Sequence, residues 1–192
     1  MKKVGILALQ GDFEAHAKAL ERAGAEPILI RSAEELKRID GLVIPGGEST
    51  TMLKLLNFMD LKEPLLEFAR EKPVFGTCAG AILLAQEVRN PAQESLGLMD
   101  LTVERNGYGR QIDSRVANIH PHADFQQRAG AGDVEAVFIR APIIRRTGPD
   151  VRVLAQYEGD PVLVEHGRHL VATFHPELTQ DSRVHKLFLS KL

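Results

Sequence analysis

Short apolar runs of strand length alternate with amphipathic segments through the first half of the chain. Residues 4–9, 27–30, 41–45 and 73–75 are almost wholly apolar, and the segments between them carry apolar residues at helical spacing. Apolar strands that alternate with helices are typical of a parallel sheet covered by helices on both faces. We therefore predict an α/β fold in three layers, with a doubly wound, mostly parallel sheet between two layers of helices.

Glycines and the only cysteine come shortly after three of these runs. They are Gly11, Gly46, Gly47 and Cys78. In a parallel sheet the carboxyl ends of the strands meet at one edge, and such folds place their chemistry there. The sequence therefore predicts a functional site at this edge.

The second half is richer in strands joined by short turns. Predicted strands cover residues 101–103, 134–139, 151–157, 161–164 and 170–174. We also predict a hairpin turn at residues 166–168, a mobile surface loop at residues 121–133 and a final amphipathic helix capped by Asp181. Because no repeat or low-complexity linker divides the chain, residues 1–192 are predicted to form a single domain.

Composition excludes several classes of protein. A hydrophobic content of 44% and a charged content of 26% are ordinary for a globular protein, so disorder is not expected. A formal net charge of −2 gives no reason to expect binding to nucleic acid, and no run approaches the length of a membrane span. A single cysteine cannot form an internal disulfide, which fits a reducing compartment, so we predict a cytoplasmic protein.

The cysteine lies in a motif that favours nucleophilic chemistry. Residues 76–80 read GTCAG and stand between a predicted strand and a predicted helix. A cysteine between small residues at such a turn has the pattern of a nucleophile elbow. The glycines relieve crowding, and the positive end of the helix dipole would stabilise a thiolate at Cys78. The alternative is a small buried core cysteine.

A base and its orienting partner follow the last predicted strand, as His175 and Glu177. Residues two apart in extended backbone point to the same side, and Pro176 restrains the pair. Glu177 can therefore hold one imidazole nitrogen while the other faces Cys78, in a Cys-His-Glu triad. The alternative is a solvated turn.

Backbone donors for a tetrahedral oxyanion are predicted at two positions. The Ala79 N–H follows the nucleophile directly, and the Gly47 N–H lies in a loop that glycine opens to a substrate. The alternative for the Gly-Gly pair is a turn into a helix capped by Ser49 or Thr50, and both interpretations can hold. No Gly-Lys-Ser/Thr follows, which disfavours a phosphate loop.

Other polar residues carry weaker signals. Arg105 and Arg140 end predicted strands and could bind a substrate carboxylate, although each taken singly is more typical of a surface arginine. His120 and His122 lie close together, but no acidic residue or cysteine stands at a convincing ligand spacing. We therefore predict neither a metal site nor a cofactor.

Six sets of motifs together resemble the class I, or triad, glutamine amidotransferases. Within that group the chain is similar, over essentially its whole length, to the family of glutaminase subunits of pyridoxal 5′-phosphate synthase. The motifs are LQG at residues 9–11, PGGESTTM at 45–52, FGTCAG at 75–80, VERN at 103–106 with GRQ at 109–111, VFIRAP at 137–142 and FHPEL at 174–178. The elbow and the triad are common to the class, whereas VERN with GRQ and FIRAP are specific to the family.

The resemblance implies a flavodoxin-like amidotransferase fold and hydrolysis of L-glutamine to glutamate and ammonia without a cofactor. Cys78 would attack the side-chain amide and form a thioester, His175 would carry the proton and Glu177 would orient His175. The residues that would hold L-glutamine are Gly47, Glu48, Ser49, Arg105, Ile139 and Arg140.

The resemblance also implies a protein partner. In this family ammonia passes through a channel of a hetero-oligomer to a synthase subunit that builds pyridoxal phosphate, and Gln10 falls in a region that meets that subunit. We expect low activity from the isolated chain, with the partner setting the backbone of Gly46 and Gly47. Residues 116–133 look longer than is usual for the family, which leaves the strand boundaries and any contact there open.

Three alternatives stay open on the sequence alone. The chain could be a cysteine hydrolase of another γ-glutamyl substrate, or a different glutaminase subunit that serves nucleotide or amino-acid synthesis. It could also be a non-catalytic binding or stress-response module that retains an exposed cysteine. The FIRAP run favours the pyridoxal family.

Overall fold

A computed structural model describes residues 1–106 and 114–192, so the GRQ motif at residues 109–111 lies outside the described residues. The elements of the first half are β1 (Lys3–Leu7), α1 (Phe13–Ala23), β2 (Glu26–Ile30), α2 (Ala33–Leu36), β3 (Gly41–Ile44), α3 (Ser49–Phe58), α4 (Lys62–Glu71), β4 (Val74–Thr77) and α5 (Ala79–Leu84). Those that follow are β5 (Ala85–Arg89), β6 (Met99–Glu104), β7 (Arg115–Ile119), α6 (Ala123–Ala129), β8 (Val134–Phe138), β9 (Ile143–Thr147), β10 (Arg152–Tyr157), β11 (Asp160–His166), β12 (His169–Ala172), a 3₁₀ helix (Pro176–Leu178) and α7 (Arg183–Leu189). None of the described helices is both long and apolar enough to cross a membrane.

A seven-stranded sheet organises the molecule, with strands in the order β10-β11-β12-β4-β3-β1-β2. Strands β12, β4, β3, β1 and β2 pair in parallel, whereas β10, β11 and β12 pair antiparallel at one side. Strands β5, β6 and β9 form a smaller sheet, and β7 pairs with β8. The prediction of a mostly parallel sheet is confirmed.

The large sheet is buried on both faces because successive side chains of a strand point to opposite sides. In β3, Leu42 and Ile44 pack with residues of α2, α3 and α4, while Val43 packs in a second cluster with Phe75 and Phe188. All five side chains are fully buried. Helices therefore cover both faces, which confirms the three predicted layers.

The order of the strands brings the predicted site together. Strands β1, β3, β4 and β12 are neighbours, and Gly11, Gly46, Cys78 and His175 come shortly after their carboxyl ends. The Asp12 N–H donates to the Gly46 carbonyl at 3.1 Å and links two of these segments. The shared edge expected from the sequence is present.

The prediction of a mobile surface loop at residues 121–133 is wrong. Helix α6 occupies the middle of this segment, and its Phe125 is fully buried in the second cluster. The proline and glycines that flank this short helix are typical of loops, so the sequence pattern does not indicate a helix. The burial of the Phe125 ring, which anchors the helix, depends on the rest of the fold. The segment is therefore anchored to the core.

Boundaries elsewhere differ in smaller ways. Strands β5, β7 and β9 were not predicted, because polar side chains interrupt their apolar pattern. Helix α3 begins at Ser49 and is capped by Glu48 rather than by Ser49 or Thr50, since the Glu48 side chain accepts the Thr50 and Thr51 N–H groups. The hairpin between β11 and β12 is confirmed. The final helix is also confirmed, and the Asp181 carboxylate accepts the Arg183 N–H at 3.0 Å.

His169 predicts a stability that depends on pH. Its Nδ1 accepts the Val74 N–H at 3.1 Å, which requires a neutral ring with Nδ1 unprotonated. Burial, assisted by the charge of Arg168, lowers the pKa of His169 to about 4. The pKa of His169 in the folded chain lies below the unfolded value of about 6.5, so the neutral ring stabilises the fold above pH 6.5. This contribution to the free energy of unfolding is lost as the pH falls from 6.5 through 4. The loss is expected to reach about 3 kcal/mol.

A His169→Asn variant provides the measurement, because asparagine keeps an acceptor near the Nδ1 position and does not titrate. Urea unfolding at several pH values should show a steeper fall in stability for the unaltered chain than for the variant between pH 6.5 and 4. Parallel curves would contradict the assignment.

Candidate active site

Cys78 occupies a strained turn between β4 and α5. Its φ of 50° lies in the left-handed region, although it is not a glycine. The Cys78 N–H donates to the Ala172 carbonyl at 3.0 Å, and the Cys78 carbonyl accepts the Ala81 N–H at 3.0 Å. These bonds hold the turn on both sides and set the thiol at the sheet edge. The geometry is that of the predicted elbow.

His175 and Glu177 lie directly after β12, the strand beside β4. The His175 N–H donates to the Val137 carbonyl at 2.8 Å, and His175 Nδ1 lies 2.5 Å from Glu177 Oε1. Both side chains are buried. The pair does not meet in extended backbone, as the sequence argument assumed, because Pro176 opens a 3₁₀ helix over Pro176–Leu178. That turn still directs the carboxylate to the ring.

The thiol and the imidazole converge over Gly46. A Cβ at Gly46 would lie 2.5 Å from His175 Cε1 and 3.4 Å from Cys78 Cβ, so only glycine leaves room for both side chains. Burial alone would lower the pKa of His175, but hydrogen bonds with Cys78 and Glu177 outweigh it and raise the pKa to about 10. A protonated imidazole beside the thiol group and the Glu177 carboxyl is therefore favoured near neutral pH.

The loop after β3 is tied to the turn after β1 through Gln10. Gln10 Oε1 accepts the Glu48 N–H at 2.8 Å, and a Cβ at Gly47 would overlap that same oxygen. Gly47 comes directly after Gly46, the position over which the Cys78 thiol and the His175 ring converge. Ala79 begins α5 directly after the thiol. The two predicted oxyanion donors belong to segments of the same sheet edge.

Glu48 and Arg105 are brought together, and Ser49 is buried beside them. Glu48 caps α3, and its hydrogen bonds with Thr51 and Thr50 lower the pKa of its carboxyl to about 2. Arg105 Nη2 lies 3.3 Å from Glu48 Oε1. By capping α3, the Glu48 carboxylate is held in place, and from there it orients the guanidinium of Arg105. This guanidinium is the group expected to bind a substrate carboxylate.

Ile139, in the segment after β8, lies beside the thiol, and Arg140 follows it directly in the chain. The Cys78 Sγ lies 3.7 Å from the Ile139 carbonyl oxygen. Arg140 has a φ of 45°, a left-handed conformation that is costly for a residue with a long side chain. Strained backbone of this kind concentrates at functional sites, so the geometry is consistent with the predicted role of both residues.

A model of the SNO glutamine amidotransferase family matches residues 6–192. The chain belongs to the SNO glutamine amidotransferase family. It is similar to a Solibacter usitatus protein named pyridoxal 5′-phosphate synthase subunit PdxT, at 67% identity over 100% of both chains. A Koribacter versatilis protein with the same name is 54% identical over 97% of this chain and 94% of the relative. A crystal structure described as a glutamine amidotransferase superposes with a TM-score of 0.89 at 43% identity, covering 98% of this chain and 97% of the other.

The family, the amidotransferase fold and the glutaminase class inferred from the motifs are confirmed by these findings. The chain is an amidotransferase enzyme rather than a binding module on the same fold. The elbow, the buried His-Glu pair and the Gly-Gly loop are thus the candidate catalytic elements of this amidotransferase.

Neither glycine of the elbow of this amidotransferase, Gly76 or Gly80, has room for a Cβ, so we expect a substitution there to lower the stability of the fold strongly. A Cβ at Gly80 would overlap the Ile44 carbonyl oxygen, which is backbone and cannot move alone. Gly80→Ala is therefore expected to cost about 2–3 kcal/mol of unfolding free energy, the range of overpacked sites. Gly159→Ala is the matched control, because its Cβ would meet open space and only its φ of 85° adds strain.

Urea denaturation of the two variants measures the difference. Gly159→Ala should cost about 1 kcal/mol, the typical strain of a left-handed alanine. Equal costs would show that the elbow tolerates a methyl group and that its close packing is not required.

Sequence reasoning missed three buried polar residues near the Glu177 carboxylate. They are His16 on α1, Thr77 at the end of β4 and His185 on α7, and each is fully or almost fully buried. Gln93 was also missed, and its Oε1 lies 3.2 Å from Ser49 Oγ. The available signal was a histidine on the apolar face of a helix, a pattern that more often indicates a satisfied core residue.

The paired histidines of the second half stay outside the site. His120 Nδ1 lies 2.9 Å from Asp133 Oδ1 at the surface, and His122 Nδ1 lies 3.0 Å from the Val153 carbonyl oxygen. Across residues 1–106 and 114–192, no three His, Cys, Asp or Glu side chains lie close enough together to hold a metal ion.

Proposed function

We propose that the chain hydrolyses L-glutamine to L-glutamate and ammonia through Cys78, His175 and Glu177, and that it supplies the ammonia to a pyridoxal 5′-phosphate synthase. One observation carries the catalytic part: a buried imidazole lies between a thiol in a strained elbow and a buried carboxylate. This arrangement activates a nucleophile without a metal.

The reaction follows from the positions of these groups. The Cys78 thiolate attacks the carbon of the side-chain amide, and the carbonyl oxygen becomes an oxyanion. The His175 imidazolium then gives its proton to the amide nitrogen, the C–N bond breaks, and ammonia leaves a thioester behind. Neutral His175 next removes a proton from water, whose hydroxide attacks the thioester. Collapse of this second oxyanion releases glutamate, and His175 again pairs with the thiolate.

The same edge supplies the other groups that the reaction needs. The N–H groups of Gly47 and Ala79 would stabilise each oxyanion, and loss of one such donor typically costs about 10²–10³ in rate. The side chains and backbone expected to hold L-glutamine are those of Gly47, Glu48, Ser49, Arg105, Ile139 and Arg140. The Glu48 and Arg105 pair supports this assignment, because it presents an oriented guanidinium to the substrate carboxylate.

The second part of the proposal concerns the partner. Relatives that match the whole chain are named as subunits of pyridoxal 5′-phosphate synthase, which supports a synthase subunit as the acceptor of ammonia. A hetero-oligomer with an internal channel would keep ammonia from solvent and protonation, and Gln10 would lie near the contact. Residues 1–192 would then act as one glutaminase domain in the cytoplasm.

Ammonia release tests both parts of the proposal. Purified chain is incubated with L-glutamine, with and without a purified pyridoxal 5′-phosphate synthase subunit, and ammonia and pyridoxal phosphate are measured. We expect slow release alone, faster release with the synthase, and glutamine-dependent formation of pyridoxal phosphate.

Two results would overturn the proposal. Ammonia release at the same rate with and without the synthase subunit would contradict the proposed partner. Turnover of γ-glutamyl peptides in preference to glutamine, with a thioester trapped only from the peptides, would instead favour the γ-glutamyl hydrolase considered above.

A further inference from the structure

A second buried imidazole lies behind the catalytic carboxylate. Glu177 Oε1 contacts His175, and Glu177 Oε2 lies 3.3 Å from Nε2 of His16 on helix α1. His16 is 0% exposed and Glu177 is 4% exposed, so water does not reach this contact. The carboxylate is thus flanked by one histidine on each oxygen.

The buried network continues beyond His16 to Thr77 and His185. His16 Nε2 also lies 3.0 Å from Thr77 Oγ1, and His16 Nδ1 lies 3.0 Å from His185 Nε2. Burial lowers the pKa of His185 to about 3. Burial, together with His185 and His175, also holds the pKa of His16 well below its usual range. Both rings are therefore neutral near pH 7, and each carries a single N–H.

The neighbours of His16 decide which nitrogen carries its proton. An unprotonated Nε2 would direct a lone pair at the Glu177 carboxylate and leave a buried N–H at His185 Nδ1 without an acceptor among the described residues. A protonated Nε2 donates to Thr77 Oγ1 and also lies 3.3 Å from Glu177 Oε2, and His16 Nδ1 then accepts from His185. Glu177 Oε2 has no hydrogen-bond partner among the described residues in either tautomer, but a protonated Nε2 leaves an acceptor nitrogen at His185 unpaired, which is less costly than an unpaired donor.

We propose that His16 is a positioning residue for catalysis, which supports the Glu177 carboxylate electrostatically through the dipole of its Nε2–H, 3.3 Å from Oε2, and is kept in that tautomer by His185. The catalytic part of this inference rests on the proposed glutaminase function and deepens it. The N–H of His175 contacts one oxygen of this buried carboxylate, and the N–H dipole of His16 faces the other. Glu177 cannot rotate away from His175 without losing the contact with His16, and the imidazolium of His175 is favoured as long as Glu177 stays in place.

Two substitutions at His16 separate positioning from packing. His16→Leu fills the volume but removes the donor, whereas His16→Gln places an amide N–H near the position of Nε2. We expect His16→Leu to lower kcat for glutamine by about 10- to 100-fold with little change in KM, as is typical when a residue that orients a functional group is lost. His16→Gln should recover activity to within about threefold of the unaltered enzyme.

Alkylation of Cys78 by iodoacetamide gives a readout that needs no glutamine turnover. Its rate against pH reports the thiolate, so it tests the inference even if the proposed glutaminase function fails. For His16→Leu we expect the rate at pH 7 to fall about tenfold and the profile to move to higher pH, whereas His16→Gln should follow the unaltered chain. A folded His16→Leu variant with unchanged kcat and an unchanged alkylation profile would overturn the proposal.

The unaltered protein carries the test if His16→Leu does not fold. In ¹⁵N spectra of histidine-labelled protein, the ring of His16 should be protonated at Nε2 and unprotonated at Nδ1 from pH 6 to 8, with its signals assigned by their loss in His16→Gln. A ring protonated at Nδ1 would contradict the inference.

Discussion

Cys78→Ala is expected to lower ammonia release from L-glutamine by about 10⁴-fold or more, even with the synthase present. The reason is that no other described side chain at this edge can form the thioester, and the oxyanion donors alone give only residual catalysis. The variant should fold normally, because the φ of 50° at this position already accommodates a Cβ. Ammonia release and thermal unfolding measure the two halves of this prediction.

Glu67→Ala is a suitable control for the Cys78 variant. Glu67 is exposed on helix α4, which carries none of the catalytic or substrate-binding candidates, so activity should stay within about twofold. Retained turnover in Cys78→Ala would show that the nucleophile has been misassigned.

His175→Asn and Glu177→Gln are expected to lower kcat unequally. Asparagine keeps an amide near Nδ1, facing Glu177, but removes the nitrogen that faces Cys78, so the proton carrier is lost and kcat should fall by about 10³–10⁴. Glu177→Gln keeps the proton carrier and removes only the charge that orients it. Its loss should therefore be about 10- to 100-fold smaller than that of His175→Asn.

Steady-state kinetics with the synthase present measure both variants, and KM should change little because neither side chain is assigned to hold the substrate. Iodoacetamide provides the matching control, since both variants should react more slowly at pH 7 if the imidazolium stabilises the thiolate. Small and equal losses in kcat would contradict a Cys-His-Glu triad.

Short sequence patterns predicted those elements of the fold that are determined by residues close together in the chain. Apolar runs gave the central strands because both faces of a parallel sheet are covered, and the glycines marked turns where a side chain has no room. Helix α6 was missed because its stability depends on the burial of Phe125 against strands distant in the sequence. The start of α3 was misplaced because Glu48, rather than Ser49 or Thr50, supplies the cap.

The candidate site divides in the same way. Cys78, His175 and Glu177 are predicted from short motifs, since an elbow and a His-x-Glu pair are contiguous in sequence. His16 and His185 belong to the first and last helices, and neither stands in a motif. Their contact exists only because α1 and α7 pack on the same face of the sheet. A histidine on an apolar helical face does not by itself reveal its partner.

The sequence alone determined the class of fold and the family, and it predicted the nucleophile with its base, because each depends on spacing within a few residues. The tertiary structure alone decided that thiol and imidazole meet over Gly46, that Glu48 contacts Arg105, and that a histidine of the first helix lies beside the Glu177 carboxylate. These contacts join residues far apart in the chain, and their geometry is set by the order of strands in the sheet and by the packing of helices against it.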